Sequence, residues 1–185
     1  MTIEQYKIYH KIEEKYGDGQ MILSYYNQIK GLIDDTKSES LLDFGCGKAK
    51  IYNRINLAEK FGMMPDLYDP AIEEYSELPN KQYDGVFCCD VMEHIPENIV
   101  PDVIEQIYER ANKFVFFAIA TDPATAVLPN GENAHCTTKP IQWWEEMINK
   151  NAPKKVYSHV LLTGKFENYS ISVSYTHLTL PTSRS

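Results

Sequence analysis

Hydrophobic positions along this chain alternate between helical stripes and short unbroken apolar runs. Apolar residues spaced three and four apart predict amphipathic helices over 2–16, 20–34, 48–61, 101–112 and 140–149. Apolar runs predict buried strands within 41–44, 63–69, 85–90 and 113–120, with a closing hairpin over 154–172. Such an alternation of strands and helices is typical of an α/β fold with a mostly parallel sheet and, here, a C-terminal antiparallel hairpin.

The most informative segment is the glycine-spaced turn after the first strand, where residues 41–49 read LLDFGCGKA. Gly45 and Gly47 permit backbone angles that other residues disfavour, and such a turn is expected to present backbone N–H groups to a nucleotide-like ligand. The dinucleotide fingerprint needs a third glycine where this chain has Lys50. A P-loop fails as well, because Lys48 is not followed by serine or threonine. An ordinary strand-to-helix connection is the alternative.

Two further segments follow this turn. Asp69 ends the predicted second strand, 26 residues after Asp43, and an acid at that place suits hydrogen bonds to two ribose hydroxyls. The sequence Asp69-Pro70 is also a common turn opener. The other segment, residues 83–96, reads YDGVFCCDVMEHIP.

Together the three segments, within residues 41–100, resemble the motifs of the class I S-adenosylmethionine-dependent methyltransferases. The resemblance implies a Rossmann-like sandwich, with Ala49 where a third glycine is common. It also implies that S-adenosyl-L-methionine is the cofactor and that these residues bind it: Asp43, Phe44, Gly45, Cys46, Gly47, Asp69, Asp90 and Val91. Leu78 is expected against the adenine ring, with plain loop packing as the alternative.

The spacing of the motifs bears on the sheet and on the domain boundaries. Only 14 residues separate Asp69 from Asp84, too few for the elements that usually link these motifs in the family, so we expect a sheet shortened at one edge. Residues 1–172 are interpreted as one domain, with N-terminal helices 1–34 over the site. Residues 173–185 resemble a translated sequencing adapter and are interpreted as a non-native tail.

Methyl transfer requires an aligned acceptor and, for a hydroxyl or protonated amine, a base. The candidate bases are His135, which is preferred, and His94, for which bracing of a helix start is the alternative. Both follow strands at the end of the sheet where α/β folds bind ligands. A metal site of Asp90, Glu93 and His94 is the alternative, but no metal is expected, because Glu93 and His94 are adjacent and should point apart on regular structure.

Composition narrows the function further. The net charge of −8 argues against nucleic acid as a partner. The four cysteines lack a C-x-x-C pair and are predicted to be reduced thiols. No apolar run is long enough for a membrane span or a leader. A cytoplasmic protein is therefore expected. The predicted function is methyl transfer to a small-molecule acceptor. A non-catalytic cofactor-binding module and a protein methyltransferase are the alternatives, and the oligomeric state is left open.

Overall fold

The computed structural model describes residues 3–153, 155–164 and 168–173. The helices are α1 (Ile3–Ile12), α2 (Ile22–Thr36), α3 (Leu57–Phe61), α4 (Val100–Glu109) and α5 (Ile141–Asn151). The strands are β1 (Leu41–Phe44), β2 (Asp66–Tyr68), β3 (Tyr83–Cys89), β4 (Ala111–Ala120), β5 (Tyr157–Thr163) and β6 (Asn168–Val173).

The strands form a six-stranded sheet in the order β2-β1-β3-β4-β5-β6. All neighbouring pairs are parallel except β5 and β6, which are antiparallel. This confirms the predicted α/β fold with a mostly parallel sheet and a closing antiparallel hairpin, an arrangement compatible with a Rossmann-like fold. Lys154 and residues 165–167 of the predicted hairpin, and residues 174–185 of the predicted non-native tail, lie outside the described residues.

The centre of the sheet is buried on both faces because residues 114–120 of β4 are an unbroken apolar run. Val115 and Phe117 face one core, which α4 and α5 cover with side chains that include the fully buried Trp144. Phe114 and Phe116 face the other core, which α2 covers.

The sheet ends at β2, as the short spacing predicted. Between Asp69 and Asp84, the only regular element is a 3-10 turn at Glu73–Tyr75. The ends of β1, β2 and β3 therefore lie side by side, with no further strand beyond β2 in the described part of the chain.

The helix predicted over 48–61 is wrong for most of its length, because α3 begins only at Leu57. Ala49 and Asn56 have φ values of 46° and 53°, which belong to the left-handed region and interrupt a right-handed helix. In addition, the N–H of Ile51 donates to the carbonyl of Asp18 at 3.1 Å instead of continuing a helix. The predicted first helix is also shorter, ending at Ile12.

Candidate ligand-binding cavity

A cavity of about 830 Å³ lies at the carboxyl ends of β1, β2 and β3. Its volume is within the range of small-molecule sites, roughly 300–1,000 Å³. The sheet contributes wall residues from each strand end: Asp43, Phe44, Gly45, Cys46, Gly47, Tyr68, Asp69, Cys89, Asp90, Val91 and His94. The opposite wall comes from the N-terminal segment and includes Tyr6, His10, Tyr16 and Gly17. All but one of the residues predicted to bind a cofactor therefore border one cavity.

The exception is Leu78. It packs against the apolar core on the α4 side and is not among the residues that line the cavity. Its position matches the loop packing that was the alternative to an adenine contact.

The two glycines of the turn are required by the protein's own packing. Gly45 and Gly47 have φ values of 91° and 57°. A Cβ on Gly45 would lie 2.3 Å from Cγ2 of Val91, and one on Gly47 would lie 2.4 Å from the carbonyl oxygen of Gly17. Both positions therefore demand glycine for the backbone angle and for the space, whatever ligand is bound.

The N–H groups of this turn are not free to bind a ligand in the cavity, contrary to the expectation from the sequence. Each donates within the protein: Gly45 to the Tyr68 carbonyl (2.7 Å), Cys46 to the same oxygen (3.1 Å), Gly47 to Oδ2 of Asp69 (2.8 Å) and Lys48 to the Gly17 carbonyl (2.6 Å). A phosphate group bound at a glycine turn requires such donors to be free. The turn consequently shapes the cavity without forming an anion site.

Carboxylates dominate the charge of the cavity wall. Asp43, Asp69 and Asp90 come from the ends of three neighbouring strands, and Lys15 is the single lysine or arginine among the described lining residues. Asp69 accepts a second hydrogen bond, from the Ala71 N–H at 2.8 Å. An ionised carboxylate has about four acceptor sites, so Asp69 retains acceptors for a ligand.

Asp43 is almost completely buried, at 3% exposure. The hydroxyl of Tyr52 donates to its Oδ2 atom. Burial raises the pKa of Asp43 to about 7, with the nearby Asp69 adding to the rise and the Tyr52 hydrogen bond opposing it. Asp43 therefore changes charge close to neutral pH, and a cation bound beside it would favour its ionised form.

Asp90 has a φ of 54°, in the left-handed region that favours glycine. The hydroxyl of Tyr25 donates to both of its carboxylate oxygens, at 2.9 and 3.2 Å. Burial raises its pKa, while the Tyr25 hydrogen bond lowers it. A strained backbone at a cavity wall is typical of a functional position.

Of the two predicted bases, His94 lines the cavity and His135 does not. The ring of His135 packs edge-on against that of His94, with centroids 4.8 Å apart. Nδ1 of His94 donates to the Ala134 carbonyl at 2.7 Å, so Nε2 is the basic nitrogen of the neutral ring. Burial, and then the neighbouring His135, lowers the pKa of His94 to about 4.

Glu93 lies beside these histidines and is completely buried. Its Oε1 accepts from the Ala120 N–H at 3.1 Å and lies 3.9 Å from Nε2 of His135. Burial, with Asp90 nearby, raises its pKa to about 8. The expectation that Glu93 and His94 point apart is wrong, since ligand atoms of Glu93, His94 and His135 all lie within 4.8 Å of one another.

The sequence predicted that the N-terminal helices lie over the site, but it did not predict which of their residues form the cavity wall. Tyr6 donates to the carbonyls of Ala134 (2.7 Å) and His94 (3.1 Å), which ties α1 to the loop after β4. The loop after α1 that contains Gly17 (the Gly17 loop) packs on the glycine turn, where the Gly17 carbonyl accepts a hydrogen bond from the N–H of Lys48. The available signal in the sequence was the presence of three tyrosines, Tyr6, Tyr9 and Tyr16, where a packing stripe needs only aliphatic residues.

Comparison of the chain with models of protein families, with curated proteins and with solved structures finds no match. Within the described ranges, no helix is both long and apolar enough to cross a lipid bilayer. The functional assignment therefore depends on the chemistry of the cavity itself.

Proposed function

We propose that this protein is an S-adenosylmethionine-dependent methyltransferase that acts on a small-molecule acceptor. The observation that carries the proposal is the wall of the cavity, where three aspartates stand at three adjacent strand ends beside a glycine turn with no free N–H group. Such a wall favours a ligand with hydroxyl donors and positive charge over one with phosphates.

S-adenosylmethionine meets this description, because it combines a ribose diol with a sulfonium and an ammonium group and has no phosphate. Asp69 would accept the ribose hydroxyls through the oxygen lone pairs that Gly47 and Ala71 leave free. Asp43 and the turn from Gly45 to Gly47 would border the ribose and methionine portion. Asp90 and Val91 would lie beside the reacting methyl group. The tyrosines of the N-terminal segment add aromatic faces, which attract cations.

The bound cofactor supplies a methyl group that is already activated. The chain's own residues have to hold the acceptor in line, exclude water and remove a proton where the acceptor carries one. His94 borders the cavity with Nε2 as its basic nitrogen, so it is placed to take that proton. His135 lies outside the cavity wall and packs against the ring of His94. Its predicted role at the acceptor site would therefore be exerted through His94.

Incubation of the protein with S-adenosylmethionine and fractionated metabolites tests the proposal. Formation of S-adenosylhomocysteine with a small-molecule fraction is the expected result. Binding without product would instead identify a non-catalytic module, and product formed only with a protein fraction would identify a protein methyltransferase. Asp69→Ala is the comparison variant, since it should reduce product formation at limiting S-adenosylmethionine by weakening cofactor binding. A cytoplasmic location stays a prediction.

A further inference from the structure

Three side chains meet behind the cavity wall with the composition of a metal site. Glu93 is completely buried, and His94 and His135 are partly buried beside it. One ligand atom from each of the three lies within 4.8 Å of the other two. They come from two separate parts of the chain, the 3-10 turn Met92–His94 after β3 and the loop after β4.

Both imidazoles are oriented by backbone carbonyls. Nδ1 of His94 donates to the Ala134 carbonyl at 2.7 Å, and Nδ1 of His135 donates to the Asp122 carbonyl at 2.6 Å. A carbonyl can only accept, so each neutral ring carries its proton on Nδ1 and leaves a lone pair on Nε2. Metal-binding histidines usually donate the N–H of the other ring nitrogen to such a group, which fixes the tautomer and the ring orientation.

Glu93 supplies the observation that points to a ligand. Its Oε2 atom is buried and has no hydrogen-bond partner among the described residues. Its other oxygen lies 3.9 Å from Nε2 of His135, which is too long for a hydrogen bond. A buried carboxylate oxygen without a partner is costly, and buried charges are usually paired or coordinate metals.

We propose that Glu93, His94 and His135 bind a divalent transition-metal ion. Two imidazole nitrogens and one carboxylate oxygen suit zinc, iron, cobalt or manganese, and leave at least one coordination position for another ligand. At metal–ligand distances of ~2.1 Å, tetrahedral ligand atoms are ~3.4 Å apart. The ligand atoms lie 3.9 Å apart in the Glu93–His135 pair and within 4.8 Å in the other pairs, so metal binding requires each pair to approach by at most ~1.4 Å.

The position of this site has a consequence for the chemistry. His94 belongs both to the proposed metal site and to the wall of the cavity. A metal ion there would polarise an acceptor hydroxyl and lower its pKa, so that solvent water, in place of His94, would take the hydroxyl proton. This consequence rests on the proposed function, whereas metal binding itself does not.

Titration of chelator-treated full-length protein with Co²⁺, followed by absorption spectroscopy in the absence of S-adenosylmethionine, tests the proposal. The expected result is one Co²⁺ per chain, with bands that indicate nitrogen and oxygen ligands. Thiolate bands would place the ion on cysteines and overturn the proposal. Glu93→Gln and His135→Asn should each weaken Co²⁺ binding by at least ~10-fold. His159→Gln is the matched control, because His159 lies on β5 with its Nε2 near Ser170, outside the cluster.

Circular dichroism and thermal unfolding show whether each variant is folded. Co²⁺ should raise the melting temperature of the natural protein and of His159→Gln, with a smaller rise in folded Glu93→Gln or His135→Asn. The proposal is overturned if the natural protein does not bind Co²⁺, or if folded variants bind it with unchanged affinity. Because cofactor is absent from these titrations, either result is independent of the methyltransferase proposal, which S-adenosylmethionine binding tests separately.

Discussion

The carboxylate of Asp69 accepts a hydrogen bond from the backbone N–H of Gly47 at 2.8 Å. The end of β2 therefore holds the glycine turn that follows β1. The other carboxylate oxygen accepts from the Ala71 N–H, and free lone pairs still border the cavity. One side chain thus both shapes the turn and presents hydrogen-bond acceptors to the cavity.

Asp69→Ala is expected to weaken S-adenosylmethionine binding by ~2 kcal/mol or more, because charge-assisted hydrogen bonds to the ribose are lost. Isothermal titration calorimetry measures the change. Asp66→Ala is the matched control: Asp66 begins the same strand but pairs with Lys81, outside the cavity wall. An unchanged dissociation constant in Asp69→Ala would remove Asp69 from the site.

Gly47→Ala is expected to destabilise the fold by about 1–3 kcal/mol, since the residue has positive φ and its new Cβ would strike the Gly17 carbonyl. Urea denaturation measures the free energy of unfolding. The same substitution at Gly31 is the control, because Gly31 lies in α2 with no atom within 4 Å of an added Cβ. Gly31→Ala should stabilise by about 0.5–1 kcal/mol. Equal effects at the two positions would contradict the packing of the Gly17 loop on the turn.

Most strands could be predicted from the sequence, and the helix after the turn could not. The strands follow from apolar runs such as β4, whose burial on both faces needs no information from distant residues. The region from Ala49 to Asn56 has apolar residues at helical spacing, yet it forms turns. The cause is a long-range contact, the hydrogen bond from Ile51 to Asp18, which a local pattern does not contain.

Some features of the candidate site could likewise be predicted from the sequence, and others could not. Asp43, Asp69 and Asp90 could be predicted to lie together, because parallel strands end at one edge of a sheet. The grouping of Glu93 with His135 could not, since it depends on where the loop after β4 returns. The sequence also could not predict that the N–H groups of the turn donate within the protein, because their acceptors lie on β2 and in the Gly17 loop.

Asp43 predicts a pH dependence of stability. Burial raises its folded-state pKa to about 7, from 3.8 in the unfolded chain. Between these values the folded state binds more protons than the unfolded state, so this contribution to the free energy of unfolding decreases as pH rises from about 4 to about 7. Urea denaturation across that range should show a shallower decrease in Asp43→Asn.

Glu93 contributes a slope of the same sign from about pH 4.5 to about pH 8, so Asp43→Asn should reduce the decrease without abolishing it. Asp84→Asn is the control, because the pKa of Asp84 is lowered by the Glu39 N–H and Lys113, and its own effect falls below this pH range. A slope in Asp43→Asn identical to that of the natural protein would show that Asp43 does not bind a proton near neutral pH.

His135→Ala is expected to leave the dissociation constant of S-adenosylmethionine nearly unchanged and to slow product formation ~100-fold or more. The physical reason is that His135 lies outside the cavity wall but contacts His94, the proposed base. Titration calorimetry and the rate of S-adenosylhomocysteine formation measure the two effects. Full activity in the variant would make His135 a bystander.

Isothermal titration of the folded protein with S-adenosylmethionine and, separately, with S-adenosylhomocysteine tests the nature of the cavity most directly. Both compounds are expected to bind once per chain. The sulfonium compound should gain affinity as pH rises through about 7, because ionised Asp43 attracts its charge, while the neutral thioether should gain less. No heat from either compound, with circular dichroism showing a folded chain, would contradict the methyltransferase proposal.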